Sequence, residues 1–147
     1  MYYKLKSGLF VGSYPDRPVK QVDAVLNVSR TLHDLVAPGV VNYNQPVNHL
    51  EPQGEDELFN AIVWMHHQYY ALGRRVLVHC RLGQDRSFAV VTAYLWWSTK
   101  LPLSVAIAQV ESARPASVPS ARPDIYTFLT NTCTPAFFDK LHHFGGR

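Results

Sequence analysis

His79-Cys80-Arg81-Leu82-Gly83-Gln84-Asp85-Arg86-Ser87 is the stretch that decides how the rest of the chain is read. Five residues separate Cys80 from Arg86, and a hydroxyl residue, Ser87, follows at once. The stretch leaves one apolar run, Val76-Leu77-Val78, and enters another, Phe88-Ala89-Val90-Val91. That context predicts a strand, a tight loop and a helix. Such a loop turns backbone N–H groups and a helix N-terminus toward one small volume, which favours an anion there. A thiol at the rim of that volume feels the same field, which favours its thiolate form. The expectation is a phosphate-sized anion hole with a nucleophile at its base.

Working outward, Arg75 to His79 is the expected central strand, and Ser87 to Thr99 is a helix apolar nearly all round, hence buried. Leu9-Phe10-Val11-Gly12 reads as a short strand broken by Ser13-Tyr14-Pro15. Asp23 to Ser29, apolar and β-branched in mid-run, reads as a buried parallel strand. Val40 to Val47 is a further strand, preceded by the Pro38-Gly39 turn, and a polar loop follows from Asn48 to about Gly54. Glu55 to Leu72 is an expected helix: Leu58, Ile62, Met65 and Tyr69 recur at helical spacing, acids crowd the first turn, and Gly73 ends it. Ser104 is the expected cap of a helix running to about Ala113. Pro115 to Pro119 breaks the chain, Pro123 opens a helix carrying Ile125, Phe128 and Leu129, and a last helix runs from Pro135 toward Phe144. Strands alternating with helices imply an α/β fold: one domain over residues 1–147, with a central, mostly parallel sheet flanked by helices. The loop at Cys80 leaves the carboxyl end of a strand, where open α/β sheets bind ligands.

The bulk composition agrees with one packed domain. The chain has 147 residues, 47% of them hydrophobic and only 17% charged, which supports a core and argues against extended disorder. A formal net charge of +3 suits anionic substrates but is too weak to indicate nucleic acid. No apolar run approaches the roughly 20 residues that span a bilayer, and Met1 to Lys6 has no signal-peptide apolar core. With two cysteines, Cys80 and Cys133, a disulfide framework is not expected, and a reducing, cytoplasmic setting is. Cys133 reads as apolar filler. His66-His67 and His142-His143 are adjacent pairs, lacking the spacing that puts two ligands on one helix face, so no metal site is expected there.

At this point the sequence resembles the cysteine-dependent protein tyrosine phosphatases, in their dual-specificity branch. The family loop, His-Cys, five residues, Arg, then Ser or Thr, stands complete from His79 to Ser87. Leu9 to Ser13 and Val22 to Ser29 resemble the family's opening strands, and Arg75-Val76-Leu77-Val78 its lead-in to the loop. Ala106 to Pro115 resembles its helix ending in Arg-Pro, so the likeness covers about residues 5–130. The resemblance implies a metal- and cofactor-independent phosphomonoester hydrolase, expected as a monomer. Its partner would be a phosphorylated protein or another phosphomonoester. A phosphoinositide or RNA 5′-phosphate is the alternative substrate. A low-turnover phospho-binding module and a sulfur- or arsenate-handling enzyme are the rival classes.

Each residue of the loop then has a task. Cys80 attacks phosphorus and forms a phosphocysteine, splitting one hard step into two. Arg86 grips two equatorial oxygens with its planar fork. Backbone amides from Arg81, Leu82, Gly83, Gln84, Asp85 and Arg86 supply the remaining donors, with Gly83 permitting close approach. Ser87 donates a hydrogen bond to the sulfur and helps it leave. His79 fixes the loop. Asp85 either braces the loop or tunes specificity and proton transfer. Arg30 and Arg81 either widen the positive rim or are ordinary solvated charges.

The leaving-group acid is the open position. The family places an Asp on a loop upstream of the cysteine, but counting back without gaps lands on Asn48 and His49. Glu51, in the expected loop, is the first choice. Asp56, His49 and Asp85 are the others, and Asp56 also has the plainer reading of a charge complementing its helix dipole.

Overall fold

The computed structural model describes residues 2–13, 21–30, 38–81 and 85–144. Within them the sheet has the order β1-β2-β5-β3-β4, built from β1 (Tyr2–Lys6), β2 (Leu9–Gly12), β3 (Ala24–Asn27), β4 (Val41–Asn44) and β5 (Val76–His79). β1 runs antiparallel to β2, and every other pairing is parallel. The helices are α1 (Gly54–His66), α2 (Arg86–Ser98), α3 (Leu103–Ala113), α4 (Pro123–Thr132) and α5 (Pro135–Phe144). An α/β domain with a mostly parallel sheet is therefore what the chain forms.

The period-two alternation of each strand sorts its side chains. Leu9 and Val11 of β2, Ala24 and Leu26 of β3, and Val76 and Val78 of β5 enter the main core under the helices. Phe10, Val25 and Leu77 face the other way, into a smaller cluster with Val22, Tyr2 and Val40. α2 lies on the main face and is buried from Ser87 through Leu95, as its all-round apolar sequence requires. Burying each large aliphatic side chain stabilises the fold by about 1.5–3 kcal/mol, so this helix and the strand before it are fixed firmly against each other.

Four details depart from the sequence reading. β1 was not among the expected strands; its alternation is blurred because it is a partly exposed edge. β4 is shorter than Val40–Val47 and exposed at every residue, being the opposite edge, where Tyr43 stacks on Trp64 of α1 at 5.3 Å. The helix expected through Leu72 is α-helical only to His66; a π-turn, His67–Ala71, completes it before Gly73 at φ +64°. Ser104 does not cap α3: the helix begins at Leu103 behind Pro102, whose fixed φ of −54° sets the entry without a side-chain cap.

Candidate active site

β5 is the middle strand, and its last residue, His79, sits between Gly12 of β2 and Asn27 of β3 in register. The His79 carbonyl accepts the Val28 N–H at 2.9 Å, and the Cys80 N–H donates to the Gly12 carbonyl at 3.3 Å. The chain therefore leaves the sheet at a place held from both neighbouring strands. His79 is fully buried, which suits the anchoring role expected of it.

Beyond this anchor, Cys80 is 4% exposed and Ser87 wholly buried. Cys80 Sγ lies 3.3 Å from Ser87 Oγ, across the mouth of the loop. Arg86 is the first residue of α2, so its backbone and that of Ser87 belong to the helix's first turn, where unpaired N–H groups and the dipole favour an anion. Leu82, Gly83 and Gln84, the expected amide donors of the middle of the loop, lie outside the described residues.

A cavity of about 220 Å³ opens over the thiol. Its described wall consists of His49, Cys80, Arg81, Asp85, Arg86 and Arg122. Asp85, the residue before α2, does not cap that helix with its side chain. Its Oδ1 accepts the Arg122 backbone N–H at 3.0 Å, and its Oδ2 lies 3.3 Å from Arg122 Nε. These contacts tie Asp85 to the start of α4. Arg81 is exposed at the rim.

The candidate acids separate clearly in space. Glu51 is exposed on the turn between Asn48 and Gly54 and is not among the described residues of the cavity wall. Asp56 is exposed on α1 and pairs with Lys140 of α5 at 3.2 Å, away from the wall. His49 is in the wall, with its side chain only 2% exposed and its Nε2 donating to Asp124 Oδ2 at 3.0 Å. The Asp124 carboxyl is held below its ordinary 3.8 chiefly by that hydrogen bond, with the charges of His49 and Arg122 adding and desolvation opposing. Arg122 Nη2 stands 3.7 Å from the same carboxylate oxygen, so Arg122 lies between Asp85 and Asp124.

Arg122 and Asp124 were not singled out in the sequence. The signal available was Arg122-Pro123-Asp124 at a helix start, which alone reads as an ordinary cap region. Cys133 is half-buried at the end of α4, and burial pushes its thiol up to about 12, which suits an inert filler. His66 lies in an aromatic cluster, bonded through Nδ1 to the Tyr94 hydroxyl at 2.8 Å and stacked on Tyr70. Among the described residues no three His, Cys, Asp or Glu side chains gather as a metal site.

The sequence matches the family described as "Dual specificity phosphatase, catalytic domain" over residues 9–123. It is 37% identical over 101 residues to human "Dual specificity phosphatase 28", a match covering 67% of this chain and 56% of that protein. It is 29% identical over 126 residues to zebrafish (Danio rerio) "Dual specificity protein phosphatase 22-B", covering 80% of this chain and 67% of that protein. The chain thus spans little more than half the length of the human relative. Superposed on the crystal structure of human DUSP28, it gives a TM-score of 0.73 at 27% identity, over 96% of this chain and 95% of that one. The matched span runs from β2 to the first residue of α4 and takes in both the anchored cysteine and Arg86 of the cavity wall; the chain belongs to the dual specificity phosphatase catalytic-domain family.

Proposed function

We propose that this chain hydrolyses phosphomonoesters of protein side chains, phosphotyrosine together with phosphoserine or phosphothreonine, through a phosphocysteine intermediate. The observation that carries the reading is the setting of Cys80. Its sulfur lies 3.3 Å from Ser87 Oγ at the head of α2 and lines a cavity shared with Arg86. The thiolate attacks phosphorus, Arg86 holds equatorial oxygens bidentately, and the helix-head amides complete the anion's hydrogen bonds. Ser87 then donates its hydroxyl proton as a hydrogen bond to the departing sulfur.

In this reading residues 1–147 act as one catalytic domain without metal or cofactor, working as a monomer in the cytoplasm. The two free cysteines support a reducing compartment, and no described helix is long and apolar enough to cross a membrane.

The test is turnover of an activated aryl phosphate and of phosphotyrosine and phosphoserine peptides by wild type and Cys80→Ser. The proposal expects turnover that vanishes in Cys80→Ser while vanadate or phosphopeptide binding survives. Binding without wild-type turnover would make the chain a phospho-binding module. Exclusive hydrolysis of phosphoinositides or RNA 5′-phosphates would keep the mechanism and replace the substrate.

A further inference from the structure

Among the described residues of the cavity wall, His49 is an ionisable side chain that the phosphocysteine scheme leaves without a task. Its imidazole is buried, and the ring packs edge-on against Phe128, with centroids 6.2 Å apart. Nε2 is engaged by Asp124 at 3.0 Å, while Nδ1 is buried and has no hydrogen-bond partner. An unsatisfied buried polar atom is costly to keep, so a site that retains one offers a group in want of a proton partner. With Nε2 engaged by a carboxylate, Nδ1 is the ring nitrogen left without a partner. The turn carrying His49 is itself rigidly held. The Asn48 N–H donates to Glu57 Oε1 at 2.9 Å, Leu50 N–H to Asn48 Oδ1 at 3.1 Å, and Glu51 N–H to the Asn48 carbonyl at 3.2 Å.

We infer that His49 is the leaving-group acid of this enzyme, with Asp124 as its positioning residue. The inference rests on the phosphocysteine reading of Cys80. As the sulfur–phosphorus bond forms and the phosphorus–oxygen ester bond breaks, the imidazolium gives its Nδ1 proton to the departing oxygen. His49 is then neutral. In the second step Nδ1 takes a proton from the water that attacks phosphorus, the phosphorus–sulfur bond breaks, and the sulfur leaves as thiolate with its electron pair. Inorganic phosphate departs and His49 is again an imidazolium. Asp124 holds the ring by its Nε2 and stabilises the positive form.

The charged and titratable groups around His49 are Asp124 of α4 and Arg122 just before it, Cys80 and Arg81 after β5, and Asp85 and Arg86 at the head of α2. Imidazoles as a class change charge between about pH 5 and 8, carboxyl side chains near about pH 4.

The experiment is kcat/KM against pH for wild type, His49→Asn, His49→Asp and Asp124→Asn, each on an activated aryl phosphate and on a phosphoserine peptide. His49→Asn is expected to slow the phosphoserine peptide about 10²–10³-fold, the usual scale of general acid catalysis, and the aryl ester less than about tenfold. His49→Asp should recover part of the loss, with the alkaline fall of activity moved to lower pH. Asp124→Asn should move that limb to lower pH as well, and it tests the dyad even if His49→Asn does not fold. Equal losses on both esters in His49→Asn, or an alkaline limb unmoved in His49→Asp and Asp124→Asn, would overturn the assignment. So would a leaving-group dependence that appears in Glu51→Gln instead. If wild type turned over neither ester, the phosphatase reading would fall, and this inference with it.

Discussion

The Asp85 carboxylate holds Arg122 at two points, accepting its backbone N–H at 3.0 Å on Oδ1 and facing its Nε at 3.3 Å on Oδ2. A residue placed to cap α2 thus spends its side chain on the start of α4. The consequence is mechanical. The catalytic loop enters α2 at the point where it is tied to the segment that also presents Asp124 to His49. Removing the carboxylate unties both contacts, whereas truncating Arg122 leaves the backbone bond in place. Asp85→Ala should therefore weaken vanadate inhibition about tenfold and Arg122→Ala only about threefold, on the scale of a charged hydrogen bond against a half-exposed ion pair. Inhibition constants measure this; an equal or larger loss in Arg122→Ala would mean that its guanidinium grips the ligand rather than bracing the loop.

Arg86 occupies the first position of α2 and the wall of the cavity. Lysine there keeps the charge but loses the two parallel N–H donors that match a phosphoryl edge. Arg86→Lys should lower kcat about 10²–10³-fold on the aryl phosphate, the scale of removing a preorganised oxyanion donor. Steady-state kinetics decide the point, and near-normal kcat would show that charge alone suffices.

Ser87 is wholly buried with its hydroxyl 3.3 Å from the Cys80 sulfur. On the proposed mechanism its task falls in the second step, when negative charge returns to sulfur. Ser87→Ala removes one oxygen without disturbing the apolar packing around α2. The phosphocysteine should then accumulate, so that rapid mixing with an aryl phosphate shows a burst of phenol followed by a steady rate about 10–100-fold slower than wild type. A slow first turnover with no burst would place Ser87 in thiolate formation instead.

Much of this site was legible because it is contiguous. Val76-Leu77-Val78, Cys80, Arg86 and Ser87 lie on one strand–loop–helix unit, where local pattern and local geometry coincide. The central strands were legible for the same reason: buried on both faces, they read as unbroken apolar runs. β1 was not, since an edge strand half open to water has no such pattern to show. Nor were Arg122 and Asp124, which reach the site from 37 and 75 residues away from their partners, Asp85 and His49. His49 was visible as a residue, but a lone histidine acquires its meaning only from the carboxylate beside it. Glu51 drew attention as the carboxylate nearest in sequence to the expected position, and the turn from Asn48 to Gly54 directs it to solvent.

Gly54 sets how closely that turn packs. A Cβ on it would stand 2.5 Å from the Asn48 carbonyl oxygen and 3.2 Å from Phe128 Cε1, the ring against which His49 packs. A backbone carbonyl cannot move aside cheaply, because Asn48 is fixed by Glu57 and by the turn's own bonds. Gly54→Ala is therefore expected to destabilise the fold by about 1–3 kcal/mol, the usual cost of overpacking. Urea denaturation reads that loss. Wild-type stability in the variant would show that the turn yields freely and that His49 is not held by it.

At the opposite end of the sheet, Asp23 joins the starts of β3 and β5. Its Oδ2 accepts the Arg75 backbone N–H at 2.8 Å and Arg75 Nε at 3.2 Å, while its Oδ1 faces Nη2 at 3.3 Å. The Arg75 side chain, then its backbone N–H, hold the Asp23 carboxyl below its ordinary 3.8. A carboxyl whose value is lower folded than unfolded contributes stability that is full above the unfolded value and lost as pH falls through the folded one. Asp23→Asn should therefore lower the urea midpoint at pH 7, and its deficit from wild type should close as both proteins are titrated below pH 3.8. Both side chains are about half exposed, at 41% and 56%, so the ion-pair part is small and salt should diminish it. The bond to the Arg75 amide is shorter and lies along the strand start, so part of the deficit should survive at high salt. A deficit independent of pH would mean that the asparagine disturbs the sheet by shape alone.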